Sequence, residues 1–398
     1  MKTKKNNKST FLLTFYLCSL LTSAGCGIHI GDLYQSKHER TVQCSGPLAP
    51  GSTIVAETKV GSIIIAGAEV NECNVTATIT AHAPTEEEAQ QIAEQVKIEL
   101  VPAGDRLIVK AHTPTLTHRR SIAISYNITT PKQVNIECTS SFGSIKVSNI
   151  AGQVKGETSS GSITGQDIDG SVQLNTSFGA ITCVNASGET IRLKSSSGAI
   201  TAENVKGSTQ LETSFGSITC KDITSNDELR LKTSSGSVTL SKARFGICNL
   251  RTSFGSVTCD DLQGDSIELH SDSGTINATQ ISAKTTRMST SFGRIKGREI
   301  TASALTAKSN SGSIDIACSV STPTDLTADV DTSSGSIEFV TPPNFAGQVE
   351  LATSFGSVKS ELPVTITGVL SKKKITGKIR EGSGRIHLET SSGSINIK

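Results

Sequence analysis

The sequence is poor in aromatic residues and carries no excess of either charge. Phe, Trp and Tyr make up 4 % of its 398 residues, and there is no tryptophan. Lys and Arg number 38 against 36 Asp and Glu, and four of the lysines lie within the first eight residues. The remainder has 34 basic and 36 acidic residues, which is near neutral. This composition argues against a nucleic-acid partner, and we also expect no nucleotide and no cofactor.

Long apolar runs are missing after residue 21, so we expect no membrane-spanning segment. The first 25 residues are predicted to be a signal peptide: lysines come first, and residues 11–21 form a short apolar stretch. It ends in Leu21-Thr22-Ser23-Ala24-Gly25-Cys26, which resembles a bacterial lipobox, although Ser23 stands where Leu is preferred. Acylation of Cys26 would anchor the chain by lipid; cleavage with Cys26 left unmodified is the alternative. Gly27 favours the outer membrane.

A short phrase, Thr-Ser-Ser/Phe-Gly-Ser-Ile, recurs through the second half of the chain. From the first copy to Gly312 the glycines are 18 to 20 residues apart, the signature of a repeat protein. We call these glycines the glycine column: Gly143, Gly161, Gly179, Gly198, Gly216, Gly236, Gly255, Gly274, Gly293, Gly312, Gly335, Gly356 and Gly393.

Each repeat predicts two short strands around a glycine corner. Alternating stretches such as Val172-Gln173-Leu174 precede the glycine, and Ser217-Ile218-Thr219 follows it. Asn or Asp often stands six residues past the glycine and predicts a turn. Because one such unit cannot bury its apolar side alone, stacked copies predict an all-β parallel solenoid of about 19-residue coils. An antiparallel barrel of hairpins is the competing fold.

The residue before the glycine alternates between phenylalanine and serine. Counting by strand parity from Leu174 and Thr176 places this position inside the solenoid, where alternating large and small side chains would fill the core. The alternative is that the glycine turns the ring outward and creates an exposed contact ridge. The phenylalanines are Phe142, Phe178, Phe215, Phe254, Phe292 and Phe355.

The chain divides into four predicted regions. After the signal peptide, residues 26–45 are a polar tether and residues 46–130 a capping region with strands and a helix over 85–97. Thr85 and Glu88 form the capping box of that helix. Residues 131–398 form the repetitive solenoid, and the lysine run at 372–374 is expected to be a solvated loop able to meet an anionic surface.

The ten cysteines suggest core packing more than chemistry. Cys183, Cys220 and Cys259 recur four residues past the glycine, two coils apart and beyond disulfide reach, so we expect them in the core. Cys44 and Cys73 are the best candidates for a disulfide in an exported protein. No cysteine or histidine spacing predicts a zinc site, and we expect no metal.

Catalysis is the rival interpretation, since β-helices can carry polysaccharide-cleaving sites built from clustered acids. Asp260, Asp261, Asp265 and His270 are available. Because the turn chemistry already accounts for the acids, and no cluster interrupts the repeat, we predict no enzyme activity and no catalytic residue.

The repeated phrases, the Glu-rich helix and the closing residues 384–395 resemble a bacterial family of proposed adhesins, a domain of unknown function with a β-solenoid fold. The resemblance implies an envelope or surface protein with no catalytic residues to transfer. We therefore expect a lipid-anchored, non-catalytic binding solenoid at the cell envelope, with a glycan or envelope protein as ligand. A periplasmic scaffold or envelope-stress module is the alternative.

Overall fold

The computed structural model describes residues 36–117 and 119–398, and this part of the chain is nearly all β with a single helix. The predicted signal peptide and Cys26 lie outside the described residues. The strands stack as a β-solenoid of about 19-residue coils, which confirms the predicted fold class. None of the helices in the described part is long and apolar enough to cross a membrane.

The elements follow in chain order. The N-terminal region contains β1 (Ser36–Pro47), β2 (Thr53–Val60), β3 (Ile63–Ala68), β4 (Glu72–Ala83), α1 (Glu86–Gln95), β5 (Lys97–Ala103), β6 (Arg106–His112) and β7 (Ser121–Pro131). The stack continues with β8 (Asn135–Phe142), β9 (Ile145–Ile150), β10 (Val154–Ser160), β11 (Ile163–Asp169), β12 (Val172–Phe178), β13 (Ile181–Ser195), β14 (Ile200–Thr213), β15 (Ile218–Lys232), β16 (Val238–Thr252), β17 (Val257–Ser271) and β18 (Ile276–Thr290).

The C-terminal part contains β19 (Ile295–Thr301), β20 (Ala304–Ser311), β21 (Ile314–Cys318), β22 (Thr327–Ser334), β23 (Ile337–Val340), β24 (Gly347–Phe355), β25 (Val358–Ser360), β26 (Thr365–Leu370), β27 (Lys374–Ile379), β28 (Gly384–Ser392) and β29 (Ile395–Ile397). Consecutive coils pair in parallel with equivalent residues aligned, as in Leu193 opposite Leu211. Identical phrases therefore meet at every level of the stack.

The predicted turn six residues past the glycine is a left-handed bend. Asn149, Asp167, Asn185, Asn204, Asp222 and Asp261, and also Lys242, Gln280 and Glu299, have φ between 51° and 58°. Asn and Asp tolerate this conformation better than most residues. Their side chains also form a ladder: Asn204 Nδ2 donates to Asn185 Oδ1 at 2.9 Å, and Asn185 Nδ2 to Asp167 Oδ1 at 2.7 Å.

The N-terminal region covers the first coil of the solenoid. Strands β2 and β3 pair in parallel with β8 and β9, so the solenoid begins at the Gly61 phrase. Beyond them lie β6 and β7, then β4 and β1 in antiparallel pairing. Helix α1 begins at Glu86, with Glu88 N–H donating to Thr85 Oγ1 at 3.3 Å. Residues 36–45 were predicted to be part of a polar tether, but they belong to strand β1. Half-buried and exposed residues alternate along this strand.

At the C-terminal end, the last coil in the sequence is not the last coil in space. Strand β28 pairs with β22 on one side and with β24 on the other, so residues 384–397 lie between two earlier coils. The outer edge of β24 is covered by β27, which pairs with β26. At each end, therefore, additional strands pair with the outermost coil. Strand β2 lies between β6 and β8, and strand β24 lies between β27 and β28.

The predicted disulfide between Cys44 and Cys73 is not formed. In the β1–β4 pair Cys44 lies opposite Val75, and Cys73 lies opposite Gly46. Diagonal neighbours of this kind have Cα atoms about 7–8 Å apart, which is beyond ordinary disulfide geometry. Both thiols are free, and burial raises the pKa of Cys73 to about 12.

Candidate functional site

The corner that contains the repeated phrase has an inner and an outer side. On the inner side, a Ser or Thr three residues before each glycine is buried in every coil; we call these residues the hydroxyl column. Its members are Ser140, Thr158, Thr176, Ser195, Thr213, Thr233, Thr252, Ser271, Thr290, Ser309, Thr332, Thr353 and Thr390. Thr176, from which the count by strand parity started, is one of them and is buried, as that count assumed.

The hydroxyl column ties neighbouring coils together. Thr233 Oγ1 donates to the Gly216 carbonyl of the adjacent coil at 2.8 Å, and Thr252 Oγ1 donates to the Gly236 carbonyl at 2.8 Å. The Gly236 N–H in turn donates to Thr233 Oγ1 at 3.2 Å. A buried carbonyl left without a donor is costly, so a hydroxyl is needed wherever the corner recurs.

The glycine column is required by close approach of neighbouring coils, not by backbone strain. A Cβ at these glycines would lie 1.7 to 2.3 Å from a carbonyl oxygen of the adjacent coil; at Gly216 the contact is 2.0 Å, with the Gly198 oxygen. Apart from Gly393, none of them has the positive φ that favours glycine. Glycine is therefore needed at the corner because the adjacent coil leaves no room for a Cβ.

The phenylalanines before these glycines point outward, so the prediction of an inner Phe column is wrong. Phe142, Phe178, Phe215, Phe254, Phe292 and Phe355 are 62 to 76 % exposed. Strand parity fails here because the chain turns at the corner: Thr213 is buried, Phe215 is exposed, and the next buried apolar residue is Ile218. The alternative of an exposed ridge is the one observed.

This outward placement is specific to one column of the solenoid. Among the described residues, the six exposed phenylalanines all belong to it, and the other three, Phe245, Phe339 and Phe345, are buried. We call Phe142, Phe178, Phe215, Phe254 and Phe292 the Phe ridge; Phe355 lies further along the same column. Large exposed apolar patches commonly mark interaction sites, so the Phe ridge is the candidate functional surface.

The rings of the Phe ridge stand apart from one another. Phe142 pairs with Ser160, and Ser160 pairs with Phe178, so a serine separates successive rings. Coils stacked at strand spacing place the rings about 9.6 Å apart, twice about 4.8 Å. This exceeds the 4.5–7 Å of aromatic pairs, so the rings do not pair with one another.

Phe355 has a different environment. Going along the column from Phe292, three serine coils intervene, because Ser311 pairs with Ser334, Ser334 with Ser392, and Ser392 with Phe355. The ring carries Lys373 Nζ at 5.7 Å from its centre, a cation–π contact. The predicted lysine loop is the turn between β26 and β27, and its Lys374 pairs with Glu350 at 2.9 Å.

Of the four residues considered for catalysis, Asp265 and His270 are held by local side-chain contacts. Asp261 occupies the left-handed bend, and Asp265 pairs with Lys284 at 2.7 Å. His270 contacts Asp272 at 2.9 Å and Ser289 at 2.8 Å. Of Asp260 the structure shows only an exposed side chain on the same strand, β17.

One group that no sequence pattern indicated could hold a cation. Within the described residues, the ligand atoms of Asp329, Asp331 and His387 lie within 4.8 Å of one another. Lys308 Nζ already lies 3.0 Å from Asp329 and 2.8 Å from Asp331, so a bound cation would have to displace it. No sequence signal could have found this group, because it depends on the out-of-order pairing of β28.

The repeated cysteines are core residues, as predicted. Cys183, Cys220 and Cys259 are at most 1 % exposed. Burial raises the pKa of Cys183 to about 12 and also raises the pKa values of Cys220 and Cys259. Thiols of this kind stay protonated at neutral pH and are poor nucleophiles.

Comparison with solved structures gives distant matches. A proposed cell adhesion protein from Clostridium sporogenes is 10 % identical over 92 % of this chain and 99 % of its own, with a TM-score of 0.18. A proposed adhesin from Bacteroides fragilis is 12 % identical over 90 % and 97 %, with a TM-score of 0.23. A proposed lipid-binding protein from Parabacteroides distasonis is 10 % identical over 90 % and 96 %, with a TM-score of 0.23.

Curated proteins gave no significant match. The sequence profile of one family does match, in two consecutive copies over residues 74–245 and 242–398. These two matches span the N-terminal cap from β4 onward, the stack from β8 with its hydroxyl column and Phe ridge, and the inserted last coil. The chain therefore belongs to the Toastrack DUF4097 family.

Proposed function

We propose that the protein is a lipid-anchored, non-catalytic binding solenoid of the cell envelope whose contact surface is the Phe ridge. The observation that carries this proposal is the row of phenylalanines that are 62 to 71 % exposed along one corner. A partner that covers this regular row of large apolar side chains removes apolar area from water, which lowers the free energy of the complex. Membership of the Toastrack family and the solenoid fold fit this role.

A repeated surface suits a repetitive ligand. Five equivalent rings can make five weak contacts at once, and their effect multiplies through avidity. An envelope glycan or an envelope protein is the class of ligand we propose. Binding, in place of catalysis, is supported by the pairing of Asp265 with Lys284, by the place of Asp261 in the left-handed bend and by the buried thiols described above.

The ridge can be tested by binding of the purified protein to isolated envelopes of the producing bacterium, prepared in parallel from cells that carry the gene and from a strain that lacks it. We expect the Phe178→Ser/Phe215→Ser/Phe254→Ser variant to co-sediment at least about tenfold less than wild type, since three of five contacts are lost. Serine is suitable because the native alternate coils carry it at this position.

The matched control removes exposed side chains from a neighbouring outward column in the same part of the stack. The Thr201→Ala/Thr219→Ala/Thr258→Ala variant should co-sediment like wild type, since all three side chains are exposed and off the ridge. Equal envelope binding by the two variants and wild type would reject the Phe ridge as the contact surface.

Lipid anchoring and location need a separate experiment. We expect wild type in the membrane fraction, and the Cys26→Ala variant in the soluble fraction because it cannot be acylated at residue 26. Protease treatment of intact cells then separates the two envelope roles. Loss of the protein favours adhesion at the surface, and protection until the outer membrane is opened favours the periplasmic scaffold or stress module.

A further inference from the structure

The Phe ridge is complementary to itself. Each ring is followed by a serine at the next coil, so the ridge presents a knob and a gap in strict alternation from Phe142 to Ser311. A partner must have rings at the same spacing to use every gap. A second ridge of the same kind has that spacing by construction, because both are set by the distance between strands.

The dimensions of the gaps fit one ring each. Rings on one copy are about 9.6 Å apart. A ring from a second copy placed midway would lie about 4.8 Å from the ring on either side, which is within the 4.5–7 Å range of favourable aromatic pairs. Interdigitated ridges would therefore form one continuous row of aromatic contacts, alternating between the two copies.

The area is sufficient for a specific interface. A phenylalanine side chain can bury about 200 Å², and these rings are 62 to 71 % exposed, so ten rings would bury about 1,300 Å². Specific protein interfaces bury about 1,200–2,000 Å² in total. The serines that line the gaps add to this area, and the near-neutral charge of 38 basic against 36 acidic residues opposes association little.

The orientation follows from symmetry. A two-fold axis along the rod would set parallel copies level with each other, so that ring meets ring and gap meets gap. An axis perpendicular to the rod relates antiparallel copies, and a ring can then face a gap at every level. Antiparallel pairing gives a closed, isologous dimer, the commonest symmetry of soluble assemblies.

We propose that the Phe ridge binds the Phe ridge of a second copy of this chain, antiparallel and interdigitated. The inference deepens the proposed function and rests on it, since it names the partner of the same surface. Because the copies are antiparallel, their anchored N-terminal ends would lie at opposite ends of the dimer, as expected for copies on two facing membranes. The contact is homophilic, since both partners are the same chain.

Sedimentation velocity of the purified protein over about 0.1–100 µM tests this directly, a range in which micromolar dimers are detected. We expect a concentration-dependent dimer for wild type and a monomer throughout for Phe178→Ser/Phe215→Ser/Phe254→Ser. The matched control is Phe355→Ser, which removes a ring of the same type that is 76 % exposed but outside the alternation. It should dimerise like wild type.

A second variant separates interdigitation from general adhesiveness. Ser197→Phe/Ser235→Phe fills two gaps and adds exposed apolar area at positions that are already exposed. Interdigitation predicts that the dimer dissociation constant rises at least about tenfold, because rings now meet rings. A tighter or unchanged dimer would overturn the proposal, as would a wild-type protein that stays monomeric at every concentration.

The results also distinguish this inference from the function proposed above. A monomeric wild type whose envelope binding still depends on the Phe ridge would reject self-pairing and retain the binding role with another ligand. A wild type that neither dimerises nor depends on the ridge for envelope binding would reject both. Thermal unfolding of each variant, expected to match wild type, shows that every variant is folded.

Discussion

Thr213 and Phe215 lie two residues apart on the same corner, yet their surroundings are opposite. Thr213 is 2 % exposed and donates from Oγ1 to the Gly198 carbonyl of the adjacent coil at 2.9 Å, whereas Phe215 is 70 % exposed. The inner side is occupied by the smaller, polar residue because the corner needs a hydrogen-bond donor there. The outer side has the aromatic ring, most of which is exposed to solvent. The residues that stabilise the stack and the surface that we propose for binding therefore lie on opposite sides of the same corner.

The largest loss of stability is expected from a change in the glycine column. In Gly216→Ala the new Cβ would lie 2.0 Å from the Gly198 oxygen, and a backbone atom cannot move aside without separating the two coils. We expect the free energy of unfolding to fall by about 4 kcal/mol or more. Gly368→Ala is the control, since its Cβ meets nothing nearer than 3.4 Å; equal losses would contradict the close-approach account.

A pair of phenylalanine variants sharpens the contrast between core and surface. Phe339 is fully buried, so Phe339→Ala should cost about 3–5 kcal/mol. Phe215→Ala should change the free energy of unfolding by at most about 0.5 kcal/mol, because a ring that is 70 % exposed makes few packing contacts that the substitution could remove. Urea unfolding followed by circular dichroism measures both, and a similar loss in the two variants would place Phe215 in the core after all.

A smaller effect is expected from removing a hydroxyl on the inner side. Thr233→Val keeps the shape but leaves the Gly216 carbonyl without its side-chain donor at a buried site. The loss should be about 1–3 kcal/mol. Thr219→Val, at an exposed position in the same coil, should stay within about 0.5 kcal/mol. A cost at Thr219 as large as at Thr233 would show that the hydroxyl column has no special role.

Much of the fold could be predicted because the regular spacing of the repeated phrase shows the length of one coil. The glycine phrase predicted parallel coils, the Asn and Asp positions predicted the bends, and Thr85 with Glu88 predicted the start of α1. The buried cysteines followed from their fixed offset to the glycine. Each of these depends on neighbours within one coil or in the adjacent equivalent coil.

The wrong and missing predictions concern features that do not follow from the spacing of residues along the chain. Strand parity assumed an extended chain through Phe178, but the corner reverses the direction of that side chain. The inserted last coil was not foreseen, because its phrase matches every other coil and could pair with any of them. The group of Asp329, Asp331 and His387 depends on that same pairing. Strand β1 escaped prediction because its partner, β4, comes later in the chain.

The separation of stability from recognition is tested most directly by the urea unfolding curve of Phe178→Ser/Phe215→Ser/Phe254→Ser beside that of wild type. Each ring removed is 67 to 71 % exposed. We predict coincident curves, with a combined change of at most about 1.5 kcal/mol, three times the ordinary surface effect. A combined loss of about 9 kcal/mol or more, as expected for three core phenylalanines, would contradict the account and return the Phe ridge to the interior.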